Sequence, residues 1–227
     1  MSAEQVQYEL VYFPGVGRAE AARALLSLGD AKWKVTNVTQ AEWASYKPTT
    51  PLGYLPILRE YNPATGEQVL ELSESSAIES YLASKVGANG TNDKEAALIA
   101  SIRANFEGLF TKITATFLIQ DAAEKAEAIK KLREPTAYLV AKHEKFLDAN
   151  HKGGNGHYVG DKLSYADISG FQLVNLAKRF NLEDLVNEEN APLLNKVKIA
   201  VATNPGLQGY LQDVVARAAA QAAAASQ

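Results

Sequence analysis

Residues 6–28 read VQYELVYFPGVGRAEAARALLSL and carry three structural signals in succession. Val6–Phe13 has the β-branched and aromatic content of a strand, and Pro14-Gly15 breaks it. Arg18–Leu28 has apolar residues at helical spacing. Trp33–Val38 then predicts a second short strand. The order strand, helix, strand predicts a βαβ unit, in which helices cover a sheet.

The chain continues with a ββα pattern. Ile57–Tyr61 and Glu67–Leu72 flank the turn-rich Asn62–Gly66, so they predict an antiparallel hairpin. Glu74–Val86 predicts a closing helix, and Gln40–Tyr46 predicts at most a short one. The fold class expected for this part is therefore α+β, with a mixed βαβ–ββα sheet covered by helices.

The second part of the chain is predicted to be all-helical. Residues 87–92 (GANGTN) form the best linker candidate, and the apolar residues that follow recur at the helical period. A long helix is predicted through 98–117, and shorter ones near 122–133, 135–149, 164–179, 191–203 and 205–220. We expect a domain at 1–86, a linker at 87–92 and a helical-bundle domain at 93–227. The Ala-rich end from Val215 is expected to be a frayed helix.

Composition excludes several classes of protein. The 227 residues are 47% hydrophobic, enough to bury a core, and the net charge of −3 argues against a nucleic-acid binder. Without Cys there can be no disulfide, thiolate zinc site or cysteine nucleophile. His143, His151 and His157 show no metal-ligand spacing, so no metal is expected. With no secretory signal and no apolar run of about 18 residues, a cytoplasmic protein free of membrane spans is expected.

Tyr12 is the first candidate for chemistry. It lies near the carboxyl end of the first predicted strand, and ligands of open α/β sheets bind outside such ends. The residues between Tyr8 and Leu26 include no Ser, Thr or Cys, so a side-chain hydroxyl supplied by this turn would belong to a tyrosine. Tyr8 competes with Tyr12, and both could instead be core residues.

Three further features could face the same crevice, and each also has a purely structural explanation. If the Leu55–Pro56 bond is cis, the Leu55 backbone can pair with an extended peptide; otherwise the proline simply opens a strand. Glu74-Ser75 could hold a ligand ammonium and carboxylate at a helix start, or merely cap the helix. Trp43 and Lys47, four residues apart, could clamp a carboxylate, or be a packed indole and a solvated amine.

Together and in this order, these segments resemble the cytosolic glutathione transferases, most closely the tyrosine-type pi and sigma classes. Residues 12–20 (YFPGVGRAE) look like the opening of those classes, Tyr-Phe followed by Gly-Arg. Leu55-Pro56-Ile57 matches the family's cis-proline loop. Residues 74–78 (ESSAI) match its Gln/Glu-Ser-x-Ala-Ile element. Residues 95–98 and 159–167 resemble pi-class segments of the helical domain.

The resemblance implies a thioredoxin-like first domain, an all-helical second domain, usual assembly as a homodimer, and a role in detoxification. Glutathione would be the co-substrate, with Tyr12 stabilising its thiolate and Arg18 setting the local electrostatics. The implied glutathione-binding residues are Tyr12, Trp43, Lys47, Tyr54, Leu55, Pro56, Glu74 and Ser75. A hydrophobic electrophile would be accepted between the domains, near Phe13, Val16, Asn105 and Leu109.

The sequence also departs from the family pattern. Tyr54 stands where relatives often carry Gln or Lys. Leu52 occupies the place of the aromatic key of pi-class dimers, and Gly108 that of an Asp supplied by the neighbouring subunit. Alternative functions are glutathione-dependent isomerisation or peroxide reduction, or non-catalytic binding of glutathione or hydrophobic ligands.

Overall fold

A computed structural model describes residues 6–150 and 155–224. Within these ranges, four strands form one mixed sheet in the order β2-β1-β3-β4. The first pair is parallel and the other two are antiparallel, which confirms the predicted βαβ–ββα arrangement. The strands are β1 Tyr8–Tyr12, β2 Trp33–Asn37, β3 Ile57–Tyr61 and β4 Gln68–Ser73.

Helices follow the predicted order within the sheet part: α1 Glu20–Leu28, α2 Gln40–Tyr46 and α3 Ser75–Lys85. Helix α1 is buried from its first residue to Leu26 and packs beside α3. Because Tyr12 is the last residue of β1, its side chain leaves the sheet at the carboxyl edge.

The helical part contains α4 Asp93–Ala115, α5 Ala122–Lys131, α6 Arg133–Ala149, α7 Tyr165–Arg179 and α8 Pro192–Ala202. Helix α7 is buried along most of its length and packs against α4 and α8. Helix α6 begins two residues before the predicted start at Pro135, because proline is tolerated in a first turn. The predicted helical second part is thus confirmed as a fold class.

The last helix, α9 Gln208–Ala224, follows a single 3₁₀ turn at Pro205–Leu207. The chain divides into two compact units: a sheet unit, Met1–Val86 with Pro205–Gln227, and a helical unit, Gly87–Asn204. Helix α9 therefore groups with the sheet, and not with the helical domain that the sequence predicts for 93–227, because it packs against α1. The segment from Val215, predicted to fray, is helical to Ala224.

Within residues 6–150 and 155–224, none of the helices combines the length and the apolar composition that a membrane span requires.

Candidate functional site

The turn between β1 and α1 holds the Tyr12 hydroxyl in a defined position. The backbone N–H of Arg18 donates a hydrogen bond to Tyr12 Oη at 2.9 Å. This bond uses the phenol oxygen as an acceptor, so the hydroxyl proton stays available for a ligand. The ring also meets Phe13 edge-on, with centroids 5.7 Å apart.

Gly17 makes this geometry sterically possible. A Cβ at Gly17 would lie only 2.5 Å from Tyr12 Oη, inside van der Waals contact. Two residues earlier, Gly15 adopts φ = +106°, a conformation that favours glycine. Both glycines of the turn are therefore required by its shape.

The surroundings of Tyr12 keep its hydroxyl protonated at neutral pH. Burial raises the pKa of Tyr12, and the Arg18 N–H and guanidinium charge oppose that rise. Since the net change is upward, Tyr12 is a hydrogen-bond donor near neutrality.

A cavity of about 320 Å³ lies in the sheet unit beside this turn. The Leu55–Pro56 peptide bond at its wall is cis. The lining residues are Arg18, Tyr54, Leu55, Pro56, Glu74 and Ser75. The fold thus brings six of the residues singled out from the sequence around one opening, with Tyr12 hydrogen-bonded to the backbone of one of them.

Glu74 has an unusual backbone conformation at the start of α3. Its φ is +72°, a region that residues other than glycine rarely occupy, and its side chain is exposed. Among the described residues, no side-chain hydrogen bond from Glu74 caps the helix, so ordinary capping does not explain this residue. Such strain costs about 1–3 kcal/mol and tends to occur at functional sites.

Ser75 is the first residue of α3 and is buried at the cavity wall. The N–H groups of a helix's first turn lack intrahelical partners and attract anions. The cavity therefore combines an exposed carboxylate at Glu74 with a helix N-terminus at Ser75, which together suit a ligand carrying an ammonium and a carboxylate.

Trp43 and Lys47 lie next to the cavity but are not among its lining residues. Lys47 N–H donates to the Trp43 carbonyl at the end of α2, so the two residues are one helical turn apart. The Lys47 ammonium is 5.8 Å from the centroid of the Tyr54 ring, which does line the cavity. Trp43 meets Phe13 edge-on at 5.3 Å and packs against the apolar cluster of Val11, Val38, Leu55 and Ile57.

Tyr8, the competing tyrosine, lies in the core of the sheet. It is buried, and its hydroxyl donates to Glu60 Oε1 at 3.2 Å. Burial and the Glu60 carboxylate raise the pKa of Tyr8 to about 12. Its proton is thus engaged within the protein, unlike that of Tyr12.

The four residues predicted to accept the electrophile belong to different units. Phe13 and Val16 lie in the β1–α1 turn of the sheet unit. In the helical unit, Leu109 is buried, and Asn105 Oδ1 lies 3.0 Å from Nε2 of His143. Their joint role stays a prediction.

The sequence did not predict that three residues, Arg217, Glu20 and Gln221, meet beside the β1–α1 turn. Arg217 in α9 forms a bidentate ion pair with Glu20 at 2.6 and 2.9 Å, and Gln221 Oε1 accepts from the Val16 N–H at 3.3 Å. The available signal was an Arg and a Gln four residues apart in an Ala-rich helix, which places both on one face.

The described residues contain no group of three His, Cys, Asp or Glu side chains arranged to hold a metal ion. His151 lies outside the described residues. Among the other histidines, His143 is buried between Asn105 and Tyr158, and His157 lies 3.3 Å from the buried Asp167.

Known proteins resemble this chain over most of its length. Residues 107–213 match the family model "Glutathione S-transferase, C-terminal domain". Glutathione S-transferase 1 of Ascaris suum is 31% identical over 166 residues, 71% of this chain and 76% of the relative. S-crystallin SL11 of Nototodarus sloanii is 29% identical over 206 residues, 90% and 95% of the two chains. The solved sigma class GST of Fasciola hepatica has a TM-score of 0.79 at 27% identity, covering 91% of this chain and 96% of its own.

Proposed function

The chain belongs to the glutathione S-transferase family, and we propose that it transfers glutathione to hydrophobic electrophiles by a tyrosine-type mechanism. The family membership confirms the resemblance seen in the sequence. In the proposed mechanism the Tyr12 hydroxyl donates a hydrogen bond to the glutathione sulfur and stabilises its thiolate. The thiol proton leaves to solvent, and the thiolate attacks an electrophilic carbon to form the C–S bond. In a substitution the leaving group departs with the bonding electron pair, and in an addition the acceptor takes up a proton from water.

One observation carries the proposal: the Tyr12 hydroxyl is held 2.9 Å from the Arg18 N–H, beside a cavity lined by Leu55, Glu74 and Ser75. A free thiol has a pKa near 8.5, so about 3% is ionised at pH 7. Lowering that pKa to about 6.5 requires roughly 2.7 kcal/mol. A hydrogen bond to a charged group contributes about 1.5–3 kcal/mol, so Tyr12 could supply most of it.

The remaining roles follow from the chemistry of the groups around the cavity. We assign the γ-glutamyl end to Glu74 and Ser75, and the cysteinyl backbone to Leu55 beside Pro56. Tyr54 contributes a wall of the cavity. The glycyl carboxylate goes to Lys47 and Trp43, and Arg18 contributes positive charge near the sulfur.

Glutathione is the proposed co-substrate, and no residue is assigned to a metal. The acceptor electrophile is assigned to Phe13, Val16, Asn105 and Leu109. Detoxification, a cytoplasmic location and assembly as a homodimer remain parts of the same proposal. They rest on family membership.

Conjugation of a chloronitrobenzene by wild type, Tyr12→Phe and Tyr8→Phe tests the mechanism. At pH 7 we expect Tyr12→Phe to lower kcat/KM by about 25-fold, because the bound thiolate falls from about 76% to about 3% when its pKa returns from about 6.5 to about 8.5. Tyr8→Phe serves as the matched control and should keep most of the activity. Glutathione binding without turnover by the wild type would favour a non-catalytic carrier, and loss of activity in Tyr8→Phe alone would overturn the assignment of Tyr12.

A further inference from the structure

Helix α9 contacts the β1–α1 turn through two side chains on one face. Arg217 Nη1 donates to the Gly15 carbonyl at 3.0 Å, and the two terminal nitrogens of Arg217 bind both carboxylate oxygens of Glu20. One helical turn later, Gln221 accepts from the N–H of Val16. These contacts join segments 197 or more residues apart in the chain.

The ion pair between Arg217 and Glu20 is largely buried, so removing one partner would leave the other charge poorly solvated. The side chains of Arg217 and Glu20 are 16% and 6% exposed. Besides Arg217, the Glu20 carboxylate has Arg23 Nε at 3.5 Å. Asp213 accepts from Arg217 Nε at 2.7 Å and orients the guanidinium toward Glu20. A bidentate, partly desolvated pair of this kind fixes geometry as well as charge.

Helix α9 packs against α1, and a cavity opens beside that contact. A cavity of about 880 Å³ lies between α9 and the neighbouring α1 and β2. Tyr210 and Arg217 line it from α9, and Arg23 and Trp33 line it from the other side. Beside this cavity, Arg217 and Gln221 supply polar contacts between α9 and the β1–α1 turn.

Gly15 and Val16, which α9 contacts, come immediately before the two residues that set the position of Tyr12. Gly15 and Val16 are followed by Gly17, where an added Cβ would lie 2.5 Å from Tyr12 Oη, and by Arg18, which donates to that oxygen. A shift of the turn by a fraction of an ångström would lengthen or bend the Arg18 hydrogen bond, whose strength depends steeply on geometry.

We propose that Arg217 is a positioning residue: through Glu20 and Gly15 it fixes the β1–α1 turn, and so the Tyr12 hydroxyl, for ionisation of bound glutathione. This inference rests on the proposed function. It predicts that replacing Arg217 weakens activation of the thiol but leaves the affinity for glutathione unchanged. Arg217 is not among the residues that line the cavity of Leu55, Glu74 and Ser75.

The test compares Arg217→Gln and Arg217→Lys with the control Val215→Ala, which alters an exposed side chain of the same helix. The measurements are calorimetric binding of glutathione and the pH profile of kcat/KM. For Arg217→Gln we expect the apparent thiol pKa to rise by about 0.5–1 unit, a three- to tenfold loss of thiolate below that pKa. Glutathione affinity should stay that of the wild type, and Arg217→Lys should recover part of the shift.

Two outcomes are distinguishable. An unshifted thiol pKa in the wild type would contradict the proposed function itself. A shifted thiol in the wild type, with the same shift in Arg217→Gln, would overturn only the role of Arg217. If Arg217→Gln does not fold, Glu20→Gln removes the carboxylate partner of the same ion pair, and an unchanged pH profile in that variant would equally overturn the inference.

Discussion

At Gly17 the backbone approaches Tyr12 Oη so closely that a single methyl group cannot fit. This contact and the hydrogen bond from Arg18 leave the phenol oxygen little freedom. The chemistry assigned to the molecule therefore depends on a short turn in which one residue must be glycine, a second has positive φ, and a third contributes its N–H.

Gly17→Ala should reduce kcat/KM for conjugation by at least about tenfold, because the new methyl group displaces the Tyr12 hydroxyl by more than the tolerance of a hydrogen bond. The matched control is Gly209→Ala, where a Cβ would have no neighbour within 4 Å. Steady-state kinetics of both variants decides the matter: equal activity in the two would show that the close contact has no catalytic consequence.

Helix α7 illustrates how one element depends on its first turn. Ser164 and Asp167 have the sequence spacing of a capping box, and the structure shows one: Asp167 Oδ2 accepts from the N–H and hydroxyl of Ser164 at 2.7 and 2.9 Å. Asp167 Oδ1 accepts from the Tyr158 N–H at 2.7 Å, and the residue is fully buried. The same side chain thus starts α7 and fixes the preceding loop.

Asp167→Ala should lower the free energy of unfolding by at least about 3 kcal/mol, because it leaves several buried donors without an acceptor. The comparison variant is Asp121→Ala, which removes the exposed cap of α5 and should cost about 1 kcal/mol. Urea denaturation measures both. Equal losses would mean that burial of Asp167 adds nothing to its capping role.

The sequence predicted what depends on local pattern. Strand and helix order, the place of Tyr12 at the carboxyl end of β1 and the capping box of α7 all follow from residues close together in the chain. The contacts of Arg217 with Glu20 and Gly15 could not be predicted, because no periodicity links residues about 200 positions apart. The positive φ of Glu74 could not be predicted either, because the fold imposes a backbone conformation that a glutamate rarely adopts.

Two buried ionisable groups, one in each compact unit, make the stability of the whole molecule depend on pH. In the helical unit, burial lowers the pKa of His143 to about 4. In the sheet unit, burial would raise the pKa of Glu9, but hydrogen bonds from Thr36, Tyr61 and Lys34 outweigh it and lower that pKa to about 2. Both groups favour the folded state in their deprotonated forms.

The contribution of His143 is fully present above its ordinary pKa of about 6.5 and is lost as pH falls from 6.5 through 4. The contribution of Glu9 is present above about 4.5 and is lost as pH falls toward 2. We expect His143→Gln to flatten the pH dependence of unfolding free energy in the first window, and Glu9→Gln in the second. Denaturant unfolding at a series of pH values measures this, and unchanged slopes in both variants would refute the assignment.

The most direct test of the central claim is the thiol pKa of glutathione bound to wild type and to Tyr12→Phe, followed by ultraviolet absorbance of the thiolate. The account predicts a bound thiol near pKa 6.5 in the wild type, about two units below free glutathione, and a return toward about 8.5 in the variant. A bound thiol as weakly acidic as the free one in the wild type, or an equally acidic thiol in Tyr12→Phe, would contradict it.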